Sequence, residues 1–159
     1  MENLTIEKQT ALAAYAGADK PGKKLLENLF GEKLFCGKIT DRVKTFEDAL
    51  AIVQPGDNVK TLLSYNGVDA HMLGAVALAK LSIIREALNE GWQPDWSNSS
   101  EYKYYPWFAF KAGVGFSHTD YGGVCSGSTV GSRLCFKSSE LAMYAGAQFE
   151  AIYNDFLTL

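Results

Sequence analysis

Four side chains with chemical potential fall within one short stretch, HTDYGGVCSGSTVGSRLCF: His118, Asp120, Cys125 and Cys135. His118, Asp120 and Cys125 are donors of the kinds that hold a transition metal. Their H-x-D-x4-C spacing matches no common zinc pattern, and His71 is the only other histidine. No metal or other cofactor is therefore expected. Cys125 with His118 would make a thiol nucleophile and its base, a mechanism that needs fixed geometry and a third group to orient the imidazole. The run Gly122-Gly-Val-Cys-Ser-Gly127 is a poor rigid mount for it. Polar residues on an exposed loop are the plainer reading. Cys135 alternates in S-R-L-C-F and reads as a small packing residue.

Two further features invite chemistry. Gly113-Val-Gly115 resembles part of a phosphate cradle, but such a cradle sits between a strand and a helix N-terminus. Here no helix follows, so the glycines read as a bulge or as space for a neighbouring ring. The aromatic group Trp92, Trp96, Tyr102, Tyr104, Tyr105, Trp107 and Phe108 is suited to stacking sugars or bases. The competing reading is a core of large side chains under a small sheet. Only Lys103, Lys111, Arg133 and Lys137 accompany them, too few for single-strand nucleic-acid binding.

The elements that must position these residues divide the chain in two. Residues 1–91 read as helical. The spacing predicts helices over Leu4–Ala16, with Thr5 as cap, and over Lys20–Phe30, with Pro21 early and Gly31 as stop. Thr45-Phe-Glu-Asp48 resembles a capping box for a short helix to Val53, which Pro55-Gly56 breaks. Asp69 caps the longest helix, Ala70–Asn89, whose Leu73, Val76, Ala77, Leu81, Ile84 and Leu88 mark a buried face. The pairs Glu86/Glu90 and Asp41/Glu47 read as solvated helix faces or ends.

Residues 92–136 carry eleven of the twenty aromatics. Strands are predicted over Tyr102–Phe108, Phe110–Ser117 and Val130–Lys137, with a Gly/Ser-rich loop at 118–128 between the last two. Pro106 inside the first argues for an edge strand or a bulge. Ser138 caps a final helix with Glu140 in its first turn, and Leu141, Ala145, Phe149, Ile152 and Phe156 form its buried stripe. The expected fold is one α+β domain: a helical N-terminal part, a small antiparallel aromatic-rich sheet and a C-terminal helix.

The totals agree with a globular domain. Of 159 residues, 47% are apolar, enough for a core. Net charge is −3 and the pI near 5.4, which disfavours a nucleic-acid partner. No run of about 18 apolar residues exists, so no membrane span or membrane partner is expected. MENLTIEKQTAL does not read as a signal peptide. The three cysteines, Cys36, Cys125 and Cys135, cannot all pair within one chain and suit a reducing cytoplasm.

Several segments carry a resemblance. ALNEGWQPDW, EYKYYPWF, GFS, VGSRLCFKSSELAMYAGAQFEAIYNDF, KKLLENLFG and DRVKTFEDAL resemble a group of small phage and prophage proteins of gut Bacteroides-group bacteria. The match covers most of the chain and brings no settled activity. It implies production in a bacterial host cytoplasm, with the virion as a further destination. Framed by YYPWF and VGSRLCFKSSELA, residues 109–128 are similar in pattern to the variable region of target proteins of diversity-generating retroelements. Those systems mutate adenines, typically in AAC codons, which cannot then encode Lys, Met, Gln, Glu or Trp. Ala112–Ser132 contains none of the five. The chain shows no clear terminal Gly-Gly-Ser-Trp signature, and a helix follows its last predicted strand, both departures from the lectin-type pattern of such targets.

The leading expectation is a non-enzymatic binding module displaying a variable loop to a protein or a surface glycan. Its contacts would be Phe110, His118, Asp120, Tyr121, Val124, Cys125 and Ser126, with tyrosine an efficient contact residue. A structural or accessory virion protein that binds its own copies or another phage protein is the alternative. A small Cys/His enzyme is the third.

Overall fold

The computed structural model describes residues 7–159, apart from the side chains of Lys33 and Cys36. The fold is α+β, as expected. The helical part runs α1 (Lys8–Gly17), α2 (Lys20–Phe30), α3 (Lys33–Cys36), α4 (Ile39–Arg42), α5 (Phe46–Val53), α6 (Asp57–Leu63) and α7 (Ala70–Asn89). A hairpin of β1 (Lys103–Lys111) and β2 (Gly115–Val124) follows, then α8 (Ser139–Gln148) and α9 (Glu150–Thr158). None of these helices is long and apolar enough to cross a membrane.

The helix starts follow the capping side chains. Asp19 accepts from Gly22 N–H at 2.9 Å, and Asp69 from Met72 N–H at 3.0 Å. Thr45 and Asp48 form the reciprocal box, and Ser138 accepts from Leu141 N–H. The first expected helix begins at Lys8; its Thr5 cap lies outside the described residues.

Asp48 does more than cap. Its carboxylate is almost wholly buried and accepts from Lys44 N–H at 2.9 Å and Thr45 N–H at 3.1 Å. The Lys8 ammonium lies 3.2 and 3.3 Å from its two oxygens, tying α1 to α5. Burial alone would raise the carboxyl, but the hydrogen bonds from Lys44, Lys8 and Thr45 outweigh it and hold Asp48 below the usual carboxylate range.

The core forms around α7. Its Leu81, Ile84, Ala87 and Leu88 meet Val43 and Ala49 from the helical part and Phe136, Ala142, Ala145 and Phe149 from the C-terminal part. A satellite cluster, Ala11, Leu12 and Phe35, packs under Tyr15, which stacks on Phe35 at 4.3 Å.

Polar groups on α7 also reach across the core. Asn89 is fully buried; its Nδ2 donates to Cys135 C=O at 2.9 Å and its Oδ1 accepts from Lys137 N–H at 3.0 Å. Arg85 adds a second donor to Cys135 C=O at 3.1 Å. On the other side of this segment, Phe136 exchanges both backbone hydrogen bonds with Tyr104 of β1, at 3.0 and 2.7 Å. One residue is thus gripped between a helix side chain and a strand edge. This pairing replaces the third strand expected over Val130–Lys137: the segment touches the hairpin by backbone only at Phe136.

Four further expectations are corrected. Tyr102–Phe108 and Phe110–Ser117 are not two strands parted at Ala109; β1 runs unbroken to Lys111. The turn falls at Ala112–Val114, where Gly113 and the flanking Gly115 take φ of +79° and +96°. Gly113-Val-Gly115 is a hairpin turn, not a bulge. The loop expected at 118–128 is strand as far as Val124, because the turn sits earlier and β2 pairs along its whole length. The final helix is two, since Phe149 departs from helical backbone (φ −115°, ψ 26°) between α8 and α9.

Two measurements probe these ties. Asn89→Ala removes a buried donor to Cys135 C=O and the acceptor of Lys137 N–H and should cost about 1–3 kcal/mol in urea unfolding. Asp48, depressed in the folded state, contributes stability that is fully present above its unfolded value near pH 4 and is lost as pH falls through the lower folded value. Asp48→Asn should therefore be less stable at pH 7 and lose less stability than wild type on acidification below pH 4.

Candidate functional site

Alternation along β2 would put His118 and Asp120 on one face. The register prevents it. Trp107 pairs with Asp120 and Phe108 with His118, so Thr119 is an extra residue on β2, a bulge. Pro106 lies just before it, with its nitrogen at the hairpin edge, where no N–H is missed. The bulge turns His118 toward the helices and leaves Asp120 beside the half-exposed Trp107, facing solvent.

The imidazole of His118 is enclosed. It meets Phe108 edge to face at 5.6 Å, and Phe108 in turn lies on Tyr153 at 4.8 Å. Burial raises the Tyr153 hydroxyl far above its ordinary value. On the other side is Gly146 of α8, where an added Cβ would fall 2.1 Å from His118 Cδ2. The Nε2 of His118 is buried without a hydrogen-bond partner. Its backbone N–H donates to Glu150 Oε2 at 2.9 Å. One helical turn on from Glu150, Asn154 closes the same edge: its Oδ1 accepts from Phe116 N–H at 3.1 Å and its Nδ2 donates to Phe116 C=O at 2.5 Å. α9 therefore holds β2 by backbone atoms.

Cys125 lies past the end of β2, a half-buried free thiol. Val124 is six steps along β2 from His118, a span of about 20 Å. The thiol and the imidazole are not brought together, and Asp120 points away from both. Among the described residues no group of three or more His, Cys, Asp or Glu is placed to hold a metal ion. Cys135 is fully buried, and that burial pushes its thiol up.

The structure gathers a different set at the open end of the hairpin. Tyr102 stacks on Tyr104 at 5.9 Å, and Tyr104 meets Tyr121 edge to face at 5.8 Å. Gly123 lies beneath, where an added Cβ would come within 3.3 Å of Tyr102 and 3.5 Å of Tyr104. Tyr102 and Tyr121 remain 55% and 41% exposed. Val124, half-buried, pairs with Lys103, and Ser126 is exposed in the segment that follows. Phe110 sits at the opposite end, 66% exposed against Phe116. On the other face, Tyr105 lies over Gly122, where a Cβ would fall 2.5 Å from its Cζ.

Sequence reasoning missed the anchor of this end. Lys103 is fully buried. Its ammonium donates to the carbonyls of Asp95, Asn98 and Glu101, pairs with the Glu101 carboxylate at 3.2 Å and lies 5.4 Å from the Trp96 ring centre. The hydrogen bond from Asp95 N–H, opposed in part by desolvation, draws the Glu101 carboxyl below its ordinary range. The available signal was a lone lysine starting an aromatic strand just after a polar turn.

None of the expected contacts lines the apolar trough of about 480 Å³ between Val53, Pro55 and Val59 and the Leu78–Ile83 side of α7. Searches against protein families, curated proteins and solved structures found no match for the chain.

The enclosure of His118 is testable. Gly146→Ala drives a methyl into the ring and should cost about 1–3 kcal/mol in thermal or urea unfolding. In a His118→Ala background the same change should be neutral or stabilising, since alanine is the better helix former. Equal costs in both backgrounds would mean the ring does not rest on Gly146.

Proposed function

We propose that the protein is a non-enzymatic binding module whose contact surface is the open end of the hairpin, Tyr102, Tyr104 and Tyr121, with Val124, Cys125 and Ser126 at its border. One observation carries the reading: three tyrosines form a continuous, half-exposed row over a glycine, on a hairpin held at Tyr104 on one edge and at Phe116 and His118 on the other. Such rings offer large amphipathic area at small entropic cost, which suits a protein surface or a glycan. The separation of His118 from Cys125 supports binding over thiol catalysis.

A phage origin rests on the resemblance of the segments named above. Variation of residues 109–128 would be compatible with the way β2 is held. Asn154 and Glu150 grip the backbone of Phe116 and His118, so the exposed side chains of Thr119, Asp120 and Tyr121 can change without loosening the edge. Gly115, with its positive φ, and Gly122, under Tyr105, are the positions where change would be resisted.

The test is a glycan microarray and whole-cell binding to gut Bacteroides-group strains with fluorescently labelled protein. Wild type should retain on at least one glycan or strain. Tyr102→Ala/Tyr121→Ala should lose at least tenfold in affinity with an unchanged far-UV spectrum, in line with the loss of two aromatic anchors. Retention unaffected by the double substitution, or no retention anywhere, would overturn the reading.

A further inference from the structure

The two outer edges of the hairpin are treated differently. On β2 the outward groups of Phe116 and His118 are covered by Asn154 and Glu150. On β1, alternation from Tyr104 turns the backbone groups of Pro106, Phe108 and Phe110 outward. Tyr104 is taken by Phe136, and Pro106 has no N–H. Among the described residues, no hydrogen bond from outside the β1–β2 ladder reaches Phe108 or Phe110. Natural sheets guard such edges with charges, prolines or a covering element. From Tyr104 to Phe110 there is no charged residue, and the charge of Lys103 is spent inside. Pro106 guards the first half, where Val130 and Leu134 also line a small cavity with Pro106 and Phe108; Phe110 and Lys111 at the far end do not line it.

We propose that residues 107–111 of β1 pair antiparallel with the same residues of a second copy, about a twofold axis at Ala109, giving a four-stranded sheet across two protomers. In this register Phe108 lies opposite Phe110 of the second copy, and the reverse, so every outward N–H and C=O of these residues is paired. Ala109, the smallest side chain on the strand, faces itself at the axis.

The outer face then supplies charge complementarity. Trp107 lies opposite Lys111 of the second copy, and Asp120 is the neighbour of Trp107 on β2. Lys111 and Asp120 are both exposed and make no ion pair among the described residues. One oxygen of Asp120 accepts from Tyr121 N–H at 2.8 Å, which orients the carboxylate and leaves the other free. Two strand spacings, about 10 Å, separate the backbones of Asp120 and the second copy's Lys111, a gap the two side chains can close over the indole. The arrangement occurs twice, as an isologous contact requires.

The size of the contact sets its strength. Trp107 and Phe110 are 55% and 66% exposed. At about 150–250 Å² per aromatic side chain, two copies bury roughly 500 Å² of ring beside the strand backbone. That is the small end of specific interfaces, so the dimer belongs to micromolar and higher concentrations. It does not use the ligand surface: Tyr102 lies at the open end of the hairpin, and Tyr121, though next to Asp120, turns its ring to Tyr104 on the face opposite Trp107 and Lys111.

Sedimentation velocity from about 5 µM to 1 mM, a range spanning weak affinities, tests the proposal. Wild type should shift from monomer to dimer. Phe110→Pro removes an outward N–H and no internal hydrogen bond, as Pro106 already does; it should stay monomeric with an unchanged far-UV spectrum. Phe110→Leu keeps the N–H and should still dimerise. Lys111→Asp should weaken the dimer about tenfold, because two ion pairs are lost at once. Adding Asp120→Lys should restore it. A wild type that is monomeric throughout, a dimeric Phe110→Pro, or a charge swap without rescue would each overturn the pairing.

Discussion

The carboxamide of Asn89 is the joint on which the two halves of the molecule turn. It offers a donor and an acceptor to Cys135 and Lys137, as a neighbouring strand would, from the last residue of the longest helix. Phe136, held between, presents its other edge to Tyr104 and its ring to the core. A two-stranded hairpin is marginal by itself in water. Here one edge is registered against the helical core through Phe136, and its face is covered by α8 and α9. Replacing the amide by an apolar group would leave buried backbone groups without partners, a larger loss than the bond itself represents.

Asn154 repeats the device on the opposite edge, with Phe116 in place of Cys135 and Lys137. One amide thus holds the β2 edge directly, while the other holds the Cys135–Lys137 segment whose Phe136 pairs with Tyr104 of β1. This form of edge control has a consequence for function. An amide that binds backbone atoms is indifferent to the side chains of the strand it holds. The scaffold fixes where β2 runs while leaving open what its solvent face displays, which is what a recognition surface with changeable residues requires.

The parts of the fold legible in the sequence are those whose causes are local. The caps at Asp19, Thr45, Asp69 and Ser138 lie within three residues of the N–H groups they accept from, so the helix starts follow from short patterns. The hairpin was misplaced because its glycines have different causes. Gly113 and Gly115 make the turn by positive φ. Gly122 and Gly123, which look like a loop, sit in a strand and make room for Tyr105, Tyr102 and Tyr104. A sequence window cannot separate the two, because the rings that require the second pair lie about 20 residues away. Lys103 and Asn89 were illegible for the same reason: a polar residue in a buried position is explained only by carbonyls and N–H groups that the fold brings to it.

Thr119 decides how the strand's chemistry is shared out. Without an extra residue, His118, Asp120 and Gly122 would line one face, and an imidazole and a carboxylate would stand side by side in solvent. With it, the imidazole is packed against Phe108 and Gly146 while the carboxylate stays beside Trp107. The bulge thus takes the histidine out of the exposed surface and gives it to the core, at the cost of one buried nitrogen without a partner. What the solvent face retains is aromatic rings and a single oriented carboxylate. Such groups can recognise by stacking, area and hydrogen bonding, while the imidazole, packed in the core and most of a strand's length from Cys125 in the chain, is not placed to take the thiol's proton.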